Sequence, residues 1–248
     1  SLVSRNIFTI KTSGGFYRYH ALFRSSLLDA SKNSLKPLLQ QKAARYYFDK
    51  RQYNRAARYA MDSKDGELLE KIILACYRDY IKAGNYSELR RWFQALNEAS
   101  DEPSTEILVA KGVFLSVVGN FVQAKACLDT AVPLLNEDDK GLYFEAMLHK
   151  ARVLRNFVSF EESNRLLDKL IAKLDSPASE LAYSVIIEKL YNLCWNSQIN
   201  EAYSLARQMI AACANAGNLK VMGCFERYLS TIHFFAGRMK DSVYYYEK

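Results

Sequence analysis

Hydrophobic and polar positions along this chain repeat in blocks of 33 to 40 residues. Each block holds two amphipathic stretches joined by a recurring turn signature, made of a small or polar pair, a large residue, and a small or apolar residue three places later. The six large residues are Tyr53, Tyr86, Phe121, Phe160, Ile199 and Met239. Because a block has room for two helices of three to four turns, it predicts one helical hairpin.

The residue types in the signature suit a tight turn between two packed helices. A glycine or polar residue permits the turn, the large residue fits between the helices, and the small one lets their axes approach. A single hairpin cannot bury both of its faces, so neighbouring hairpins must stack. The pattern therefore predicts an all-α, right-handed superhelix of about six tetratricopeptide-like hairpins with an extended concave groove.

Two prolines and the last residues add local predictions. Ser176 followed by Pro177 is typical of a helix N-cap and a first helical residue. Pro133 falls inside the second helix of the third block, where we expect a kink or an early end. Residues 244–248 form an aromatic-rich helix without a polar cap, which indicates an array truncated before its terminal repeat.

The first twenty residues follow a different pattern. β-prone stretches at 6–10 and 16–19 flank turn-prone residues 11–15, which indicates a β-hairpin. A helical stretch then runs from Ala21 to about Ser31, with its apolar positions on one face. The predicted domains are a β-hairpin at 1–20, a linker helix at 21–35 and the helical-repeat domain at 36–248.

Composition supports helices and limits the chemistry. Half of the residues are hydrophobic, and there are only ten Gly and four Pro. No apolar run approaches the roughly 20 residues of a membrane span, so we expect a cytoplasmic protein without a membrane partner. The five cysteines show no C-x-x-C pair and no histidine at zinc-ligand spacing, so we expect reduced thiols in the core and no metal site.

Motifs typical of enzymes are missing from the sequence. It contains no G-x-x-x-x-G-K-[ST], no G-x-G-x-x-G and no G-x-S-x-G pattern. His149 and His233 fall on predicted helices without a paired carboxylate or cysteine at useful spacing. We therefore predict no catalytic residues and a binding or regulatory module.

The positive charge is concentrated at the N-terminal end. Residues 1–60 hold twelve Lys and Arg against two acidic residues, a net +10, so the rest of the chain carries −3 of the overall +7. Such a region would face nucleic acid or an acidic partner, or it is a solvated helical face. Because no helix-turn-helix pattern is visible, we expect DNA contact only through a separate domain.

The junction between the predicted β-hairpin and the first helix carries a family resemblance. Residues 5–8 read Arg-Asn-Ile-Phe, and residues 16–24 read Phe-Tyr-Arg-Tyr-His-Ala-Leu-Phe-Arg. With residues 41–47 and 56–60, this junction resembles the large ATP-dependent transcription activators of the LuxR class, typified by the maltose-regulon activator. The resemblance covers residues 1–60, whereas the later repeats match only as generic helical pairs.

The resemblance implies a sensor whose switch lies elsewhere in a longer protein. A nucleotide-binding module and a winged helix would precede the helical repeats, and residues 1–20 would end that winged helix. The repeats would bind a small-molecule inducer or a regulatory protein, controlling an ATP/ADP switch, oligomerisation and DNA binding by other domains. No cofactor is expected within these 248 residues.

One histidine acquires a specific role from the resemblance. His20 falls where related nucleotide-switch proteins place a histidine that contacts the phosphate of ADP. A histidine can donate to phosphate oxygens, so the role suits its chemistry. The alternative is a packing or helix-capping histidine.

A candidate groove follows from the repeat alone. Counting back eight residues from each large turn residue gives Arg45, Arg78, Val113, Arg152, Tyr191 and Thr231. The arginines would suit a carboxylate, a phosphate or an acidic peptide, and nearby polar and aromatic residues would grip a sugar. The candidate groove residues are Arg45, Arg78, Arg152, Arg155, Asn156, Tyr191, Trp195 and Arg227. The alternative is arginines in solvent or in ion pairs with Glu145 and Glu106.

Two functions therefore stay open. The first is the sensor region of a transcription activator. The second is a generic interaction scaffold that binds a peptide of a partner protein in its concave groove.

Overall fold

A computed structural model of the chain describes residues 9–11, 17–30, 36–99, 102–137, 141–157, 159–176 and 178–247. Within these ranges it contains thirteen α-helices, a short 3-10 helix and two short strands. The predicted all-α class is thereby confirmed. None of the helices in these ranges is both long and apolar enough to cross a lipid bilayer.

The β-hairpin predicted near the N-terminus is present. Strand β1 (Thr9–Lys11) pairs antiparallel with β2 (Tyr17–Tyr19), and helix α1 (Ala21–Ala30) follows after one residue. The backbone N–H of Arg24 donates to the carbonyl of His20 at 2.9 Å, which closes the first turn of α1. Of the predicted turn at 11–15, Lys11 belongs to β1 and residues 12–15 lie outside the described residues, as do residues 6–8 of the first predicted strand.

Six helical hairpins follow, as the repeat predicts. Their helices are α2 (Lys36–Asp49) with α3 (Tyr53–Asp62), α4 (Gly66–Lys82) with α5 (Tyr86–Ala99), α6 (Thr105–Val117) with α7 (Phe121–Ala131), α8 (Leu142–Phe157) with α9 (Phe160–Ala172), α10 (Glu180–Trp195) with α11 (Ile199–Asn215), and α12 (Leu219–Phe235) with α13 (Met239–Glu247). Each large turn residue begins the second helix of its hairpin.

Five of the six turns place a residue with positive φ two positions before the large turn residue, and the corresponding residue of the fourth turn, Val158, lies outside the described residues. Gly119 adopts a φ of 81°, and the N–H of the next residue donates to the carbonyl of Leu115 at 2.9 Å. This bond supplies a donor to a carbonyl that would otherwise have no hydrogen-bond partner at the end of the helix. Ser197 takes the same conformation at φ 61°, which costs free energy for a residue with a Cβ. Backbone geometry therefore explains the glycine or polar residue of the signature.

Close approach of the two helices explains the small residue of the signature. In the fourth hairpin, the hydroxyl of Ser163 donates to the carbonyl of Ala151 at 2.8 Å. In the sixth, Ser242 donates to the carbonyl of Ser230 at 2.9 Å, again twelve residues earlier. In the third hairpin the residue twelve positions before the small residue is Gly112, and a Cβ there would lie 2.7 Å from Cγ of Leu128.

The prolines give one confirmed prediction and one correction. Helix α7 ends at Ala131, and Pro133 lies in the 3-10 helix Val132–Leu134, as expected for an early end. The N-cap predicted at Ser176 is wrong. Ser179 caps α10 by accepting from the N–H of Ala182 at 3.0 Å, whereas Ser176 accepts from Ala178 in a local turn. Pro177 itself lies outside the described residues.

The described residues divide into two compact units. The N-terminal unit comprises those up to residue 80 and those from 87 to 102, and its largest buried side chains are Trp92 and Tyr77. The C-terminal unit comprises residues 81–86 and those from 103 onward. In the C-terminal unit, the first helices of successive hairpins, α6, α8, α10 and α12, pack side by side. We call them the first-helix layer.

Candidate functional site

An ion-pair network joins α8 to α10 in the first-helix layer. Oε1 of Glu188 accepts from Nε of Arg152 at 2.7 Å, and Oε2 accepts from Nη1 of Arg155 at 2.7 Å. The side chains of Glu188 and Arg155 are only 11% and 13% exposed. One carboxylate therefore holds two guanidinium groups, and the cluster keeps a net charge of +1.

A buried asparagine extends this network to α9. Asn192 is fully buried, and its Nδ2 donates to Oγ of Ser163 and Oδ1 of Asn164, each at 2.8 Å. Its Oδ1 accepts from Nη1 of Arg155 at 3.3 Å. Connected polar contacts of this kind fix the relative position of the helices that carry them.

Equivalent positions of successive hairpins meet along the layer. Ser116 and His149 lie 33 residues apart with 2.6 Å between Oγ and Nδ1, and Arg155 and Glu188 are also 33 residues apart. In both pairs the first residue lies five positions, and the second eleven positions, before the large turn residue of its own hairpin. The same pair of positions therefore forms a serine–histidine hydrogen bond between the third and fourth hairpins and an arginine–glutamate ion pair between the fourth and fifth.

The His149 contact is structural. Ser116 donates its hydroxyl hydrogen to the carbonyl of Val113 at 2.7 Å, so its oxygen must accept the Nδ1 hydrogen of His149. Burial, and secondarily the charge of Arg152, lowers the pKa of His149 to about 3. The side chain therefore stays neutral and serves packing.

An exposed row of aromatic side chains adjoins the Arg155–Glu188 pair. The guanidinium of Arg155 lies 4.3 Å from the ring centroid of Tyr191. Centroid distances are 5.8 Å from Tyr191 to Trp195 and 5.3 Å from Trp195 to Phe235. Trp195 is 54% exposed and Tyr191 37% exposed. We call Tyr191, Trp195 and Phe235 the aromatic row, a surface that suits stacking by a flat or ring-shaped ligand.

Two buried donors beside this row have no partner among the described residues. They are Nε of Arg155 and the hydroxyl of Tyr228. Burial raises the pKa of Tyr228, and the nearby Cys194 and Glu188 raise it further, so the hydroxyl keeps its proton. A hydrogen-bond acceptor reaching between the first helices would satisfy these donors.

Five of the eight predicted groove residues come together here. Arg152, Arg155, Tyr191 and Trp195 belong to the network and the aromatic row, and Nδ2 of Asn156 donates to the carbonyl of Arg152 at 2.8 Å. The acid that pairs with these arginines is Glu188 rather than the Glu145 or Glu106 considered from sequence.

The other predicted groove residues lie elsewhere. Arg227 is exposed and lines a cavity of about 290 Å³ with Tyr183, Lys220 and Tyr245. Arg45 and Arg78 belong to the N-terminal unit, where both are exposed. A common groove for all the predicted arginines therefore stays a prediction.

His20 lies between β2 and α1 and is exposed. With Arg18, Arg24, Ile10 and Tyr19 it lines an open cavity of about 490 Å³. A histidine beside two arginines suits a phosphate group. The nucleotide-sensing role remains a prediction from the family resemblance.

Sequence reasoning missed the residues that connect the site. Glu188 and Asn192 lie on α10 and Tyr228 lies on α12, and none of the three stands out by spacing within its own helix. The sequence marks Ser163 only as the small residue of its turn signature. The signal was the repeat itself, since aligning hairpins on their large turn residues puts Arg155 and Glu188 at contacting positions.

Two buried cysteines are structural rather than reactive. Burial raises the pKa of Cys76 to about 12, helped by Asp79, and that of Cys194 to about 11. These thiols stay protonated in the core. In the ranges that the structure describes, no group of three or more His, Cys, Asp or Glu side chains is placed to hold a metal ion.

Comparison with known proteins supports the fold. No protein-family model matches the sequence, and no curated protein matches it either. Among solved structures, the chain is similar to a signal transduction ATPase with numerous domains (STAND) that has a tetratricopeptide repeat sensor, from Pyrococcus horikoshii. The match covers 99% of this chain and 38% of that one, with 16% identity and a TM-score of 0.59. This likeness is one of fold, and the chain spans 38% of the length of that protein.

Proposed function

We propose that this chain is a non-catalytic sensor region that binds its effector on the aromatic row. The observation that carries the proposal is this row, in which three rings meet in tilted and edge-on contacts with Trp195 more than half exposed, beside the buried Arg155–Glu188–Asn192 network. A binding surface needs such rigid support, because an ordered surface loses little entropy when a ligand arrives. The fold likeness to a protein with a tetratricopeptide repeat sensor supports the same function.

The network also narrows the chemistry of the effector. Because Glu188 already occupies both Arg152 and Arg155, an anionic ligand would have to compete with a largely buried carboxylate. Stacking on Trp195 and Tyr191 requires no such competition. We therefore infer a ligand that presents a ring face and hydrogen-bond acceptors, rather than a carboxylate or phosphate as its main feature.

In the full proposal, effector binding controls an ATP/ADP switch in a longer cytoplasmic regulator. The resemblance of residues 1–60 to ATP-dependent LuxR-class activators supports a role in transcription. His20, with Arg18 and Arg24 beside it, would face the nucleotide phosphates of an adjoining module. Sequence-specific recognition of duplex DNA would belong to a separate domain.

Tryptophan fluorescence tests the site directly. Trp195 is 54% exposed, and Trp92 in the N-terminal unit is fully buried. A Trp92→Phe variant therefore isolates the signal of Trp195 for titration with mono- and disaccharides, nucleosides and short peptides. We expect one of the small molecules to change this emission and to raise the melting temperature.

Matched variants complete the test. Trp195→Ala should abolish the thermal shift, whereas Tyr246→Ala, which removes an aromatic side chain 74% exposed on α13, should retain it. Saturable binding of a peptide, with no response to any small molecule, would favour the interaction scaffold instead. Loss of binding in both variants would contradict the placement on the aromatic row.

A further inference from the structure

Helices α2 and α3 of the N-terminal unit carry an unusual concentration of unpaired positive charge. Residues 36–62 contain seven Lys and Arg against two Asp, and all nine side chains are exposed. The seven cations are Lys36, Lys42, Arg45, Lys50, Arg51, Arg55 and Arg58. We call them the basic face.

The cations of the basic face form no ion pair with any acidic side chain among the described residues. Arg55 donates to the Gln52 side chain at 2.9 Å and lies 5.5 Å from the ring centroid of Tyr47, and Arg58 lies 5.9 Å from that of Tyr59. Neither contact neutralises charge. The basic face therefore remains available to an external polyanion.

In the C-terminal unit, some exposed cations are paired with acidic side chains. Arg165 pairs with Glu161, Lys220 with Glu180 and Lys173 with Glu137. Other exposed cations, such as Arg238 and Lys240, form no ion pair among the described residues. A basic composition is thus not uniform over the surface. The contrast points to a distinct partner for the basic face.

An exposed tyrosine lies among the cations of the basic face. Tyr46 is 59% exposed, and Lys42 lies four residues before it on the same side of α2. Lys50 lies four residues after Tyr46, immediately past the end of α2. Its ring meets Tyr47 edge-on, at 75° and 5.4 Å between centroids. An edge-on contact covers at most one face of a ring, so at least one face of Tyr46 is not covered by Tyr47.

We propose that the basic face binds single-stranded nucleic acid. Cations that follow a backbone, combined with an aromatic ring on which a base can stack, are the elements of such recognition. An acidic peptide would use the cations and leave the tyrosine without a role, and a duplex would keep its bases away from the ring. The proposal is independent of the effector site on the aromatic row.

Fluorescence anisotropy with labelled dT20 tests the proposal on the whole chain. We expect saturable binding whose logarithmic affinity falls linearly with the logarithm of salt concentration. Replacing Lys42, Arg45 and Lys50 by Gln should weaken binding by at least about tenfold and reduce the salt slope by about 2, near 0.7 for each lost phosphate contact. Tyr46→Ala should weaken binding about fivefold or more, since one stacked base contributes roughly 1–3 kcal/mol.

A triple variant of equal charge change serves as the control. Arg165, Lys169 and Lys220 are exposed cations of the C-terminal unit, and their replacement by Gln should leave dT20 binding near the wild-type level. Circular dichroism verifies that both triple variants fold. Equal losses in the two triple variants would overturn the proposal, as would poly-glutamate or a duplex of equal length binding as tightly as dT20.

Discussion

At the residue scale, His149 gives the C-terminal unit a defined pH dependence. Its pKa is lowered from 6.5 to about 3, first by burial and then by Arg152. Below pH 6.5 the unfolded chain therefore binds a proton that the folded chain excludes. The contribution of His149 to stability is complete above pH 6.5 and is lost as the pH falls toward 3.

Unfolding with denaturant at two pH values measures this effect. From pH 7 to pH 5 the free energy of unfolding should decrease by about 2 kcal/mol through His149. His149→Gln should lose that part of the decrease, whereas His20→Gln, which changes an exposed histidine, should keep it. An unchanged pH dependence in His149→Gln would show that another group is responsible.

Glu188 should matter more for stability than its single charge suggests. Glu188→Gln leaves Arg155 largely buried without a carboxylate, and we expect a loss of about 2–4 kcal/mol in the free energy of unfolding at pH 7. Glu180→Gln in the same helix breaks a pair with Lys220 in which both side chains are over 70% exposed, so it should change stability little. Comparable losses in the two variants would contradict the assigned role of burial.

At the element scale, two helical glycines should respond oppositely to the same substitution. In Gly112→Ala the new Cβ would lie 2.7 Å from the fully buried Leu128, so we expect a loss of roughly 1–3 kcal/mol. Gly223 in α12 has nothing within 4 Å of the corresponding position, and Gly223→Ala should gain about 0.5–1 kcal/mol from helix propensity. Thermal unfolding monitored by circular dichroism compares the two, and a gain in both would disprove the close approach of α6 and α7.

The turns are the elements that the sequence predicts best. A left-handed residue such as Gly119 or Ser197 leaves a local signature, because few residues tolerate that backbone conformation. Capping is less predictable, since Ser176 and Ser179 both precede α10 and only contact with the N–H of Ala182 identifies the cap. Local chemistry therefore fixes where helices turn more firmly than where they begin.

Partners between helices are less predictable than turns. The arginines at 152 and 155 were identified as candidates from sequence, but their common partner Glu188 lies more than thirty residues away. Aligning the hairpins on their large turn residues gives Glu188 and Arg155 defined positions, but only the packing shows that these two positions touch, as they do in Ser116–His149. The aromatic row was recognised only in part, because Phe235 joins it from the next hairpin.

At the scale of the whole molecule, the helix contacts described above join each helix to its neighbour in the chain or to the next but one. Stability in such an array depends on each hairpin and on the junctions with adjacent hairpins. The contacts Ser116–His149 and Arg155–Glu188 are two of these junctions. The chemistry of one junction can therefore change without redesign of the others.

This local dependence predicts that core defects act locally within the C-terminal unit. Leu128 in α7 and Leu229 in α12 are both fully buried, so replacing either by Ala should cost about 2–5 kcal/mol. Native-state hydrogen exchange should then accelerate mainly in α6–α8 for Leu128→Ala and mainly in α10–α13 for Leu229→Ala. The two variants serve as controls for each other, because they make the same chemical change in separated hairpins. Equal acceleration of every helix from α6 to α13 in both variants would instead identify the unit as one cooperative body, in which an effector at Trp195 would stabilise all hairpins together.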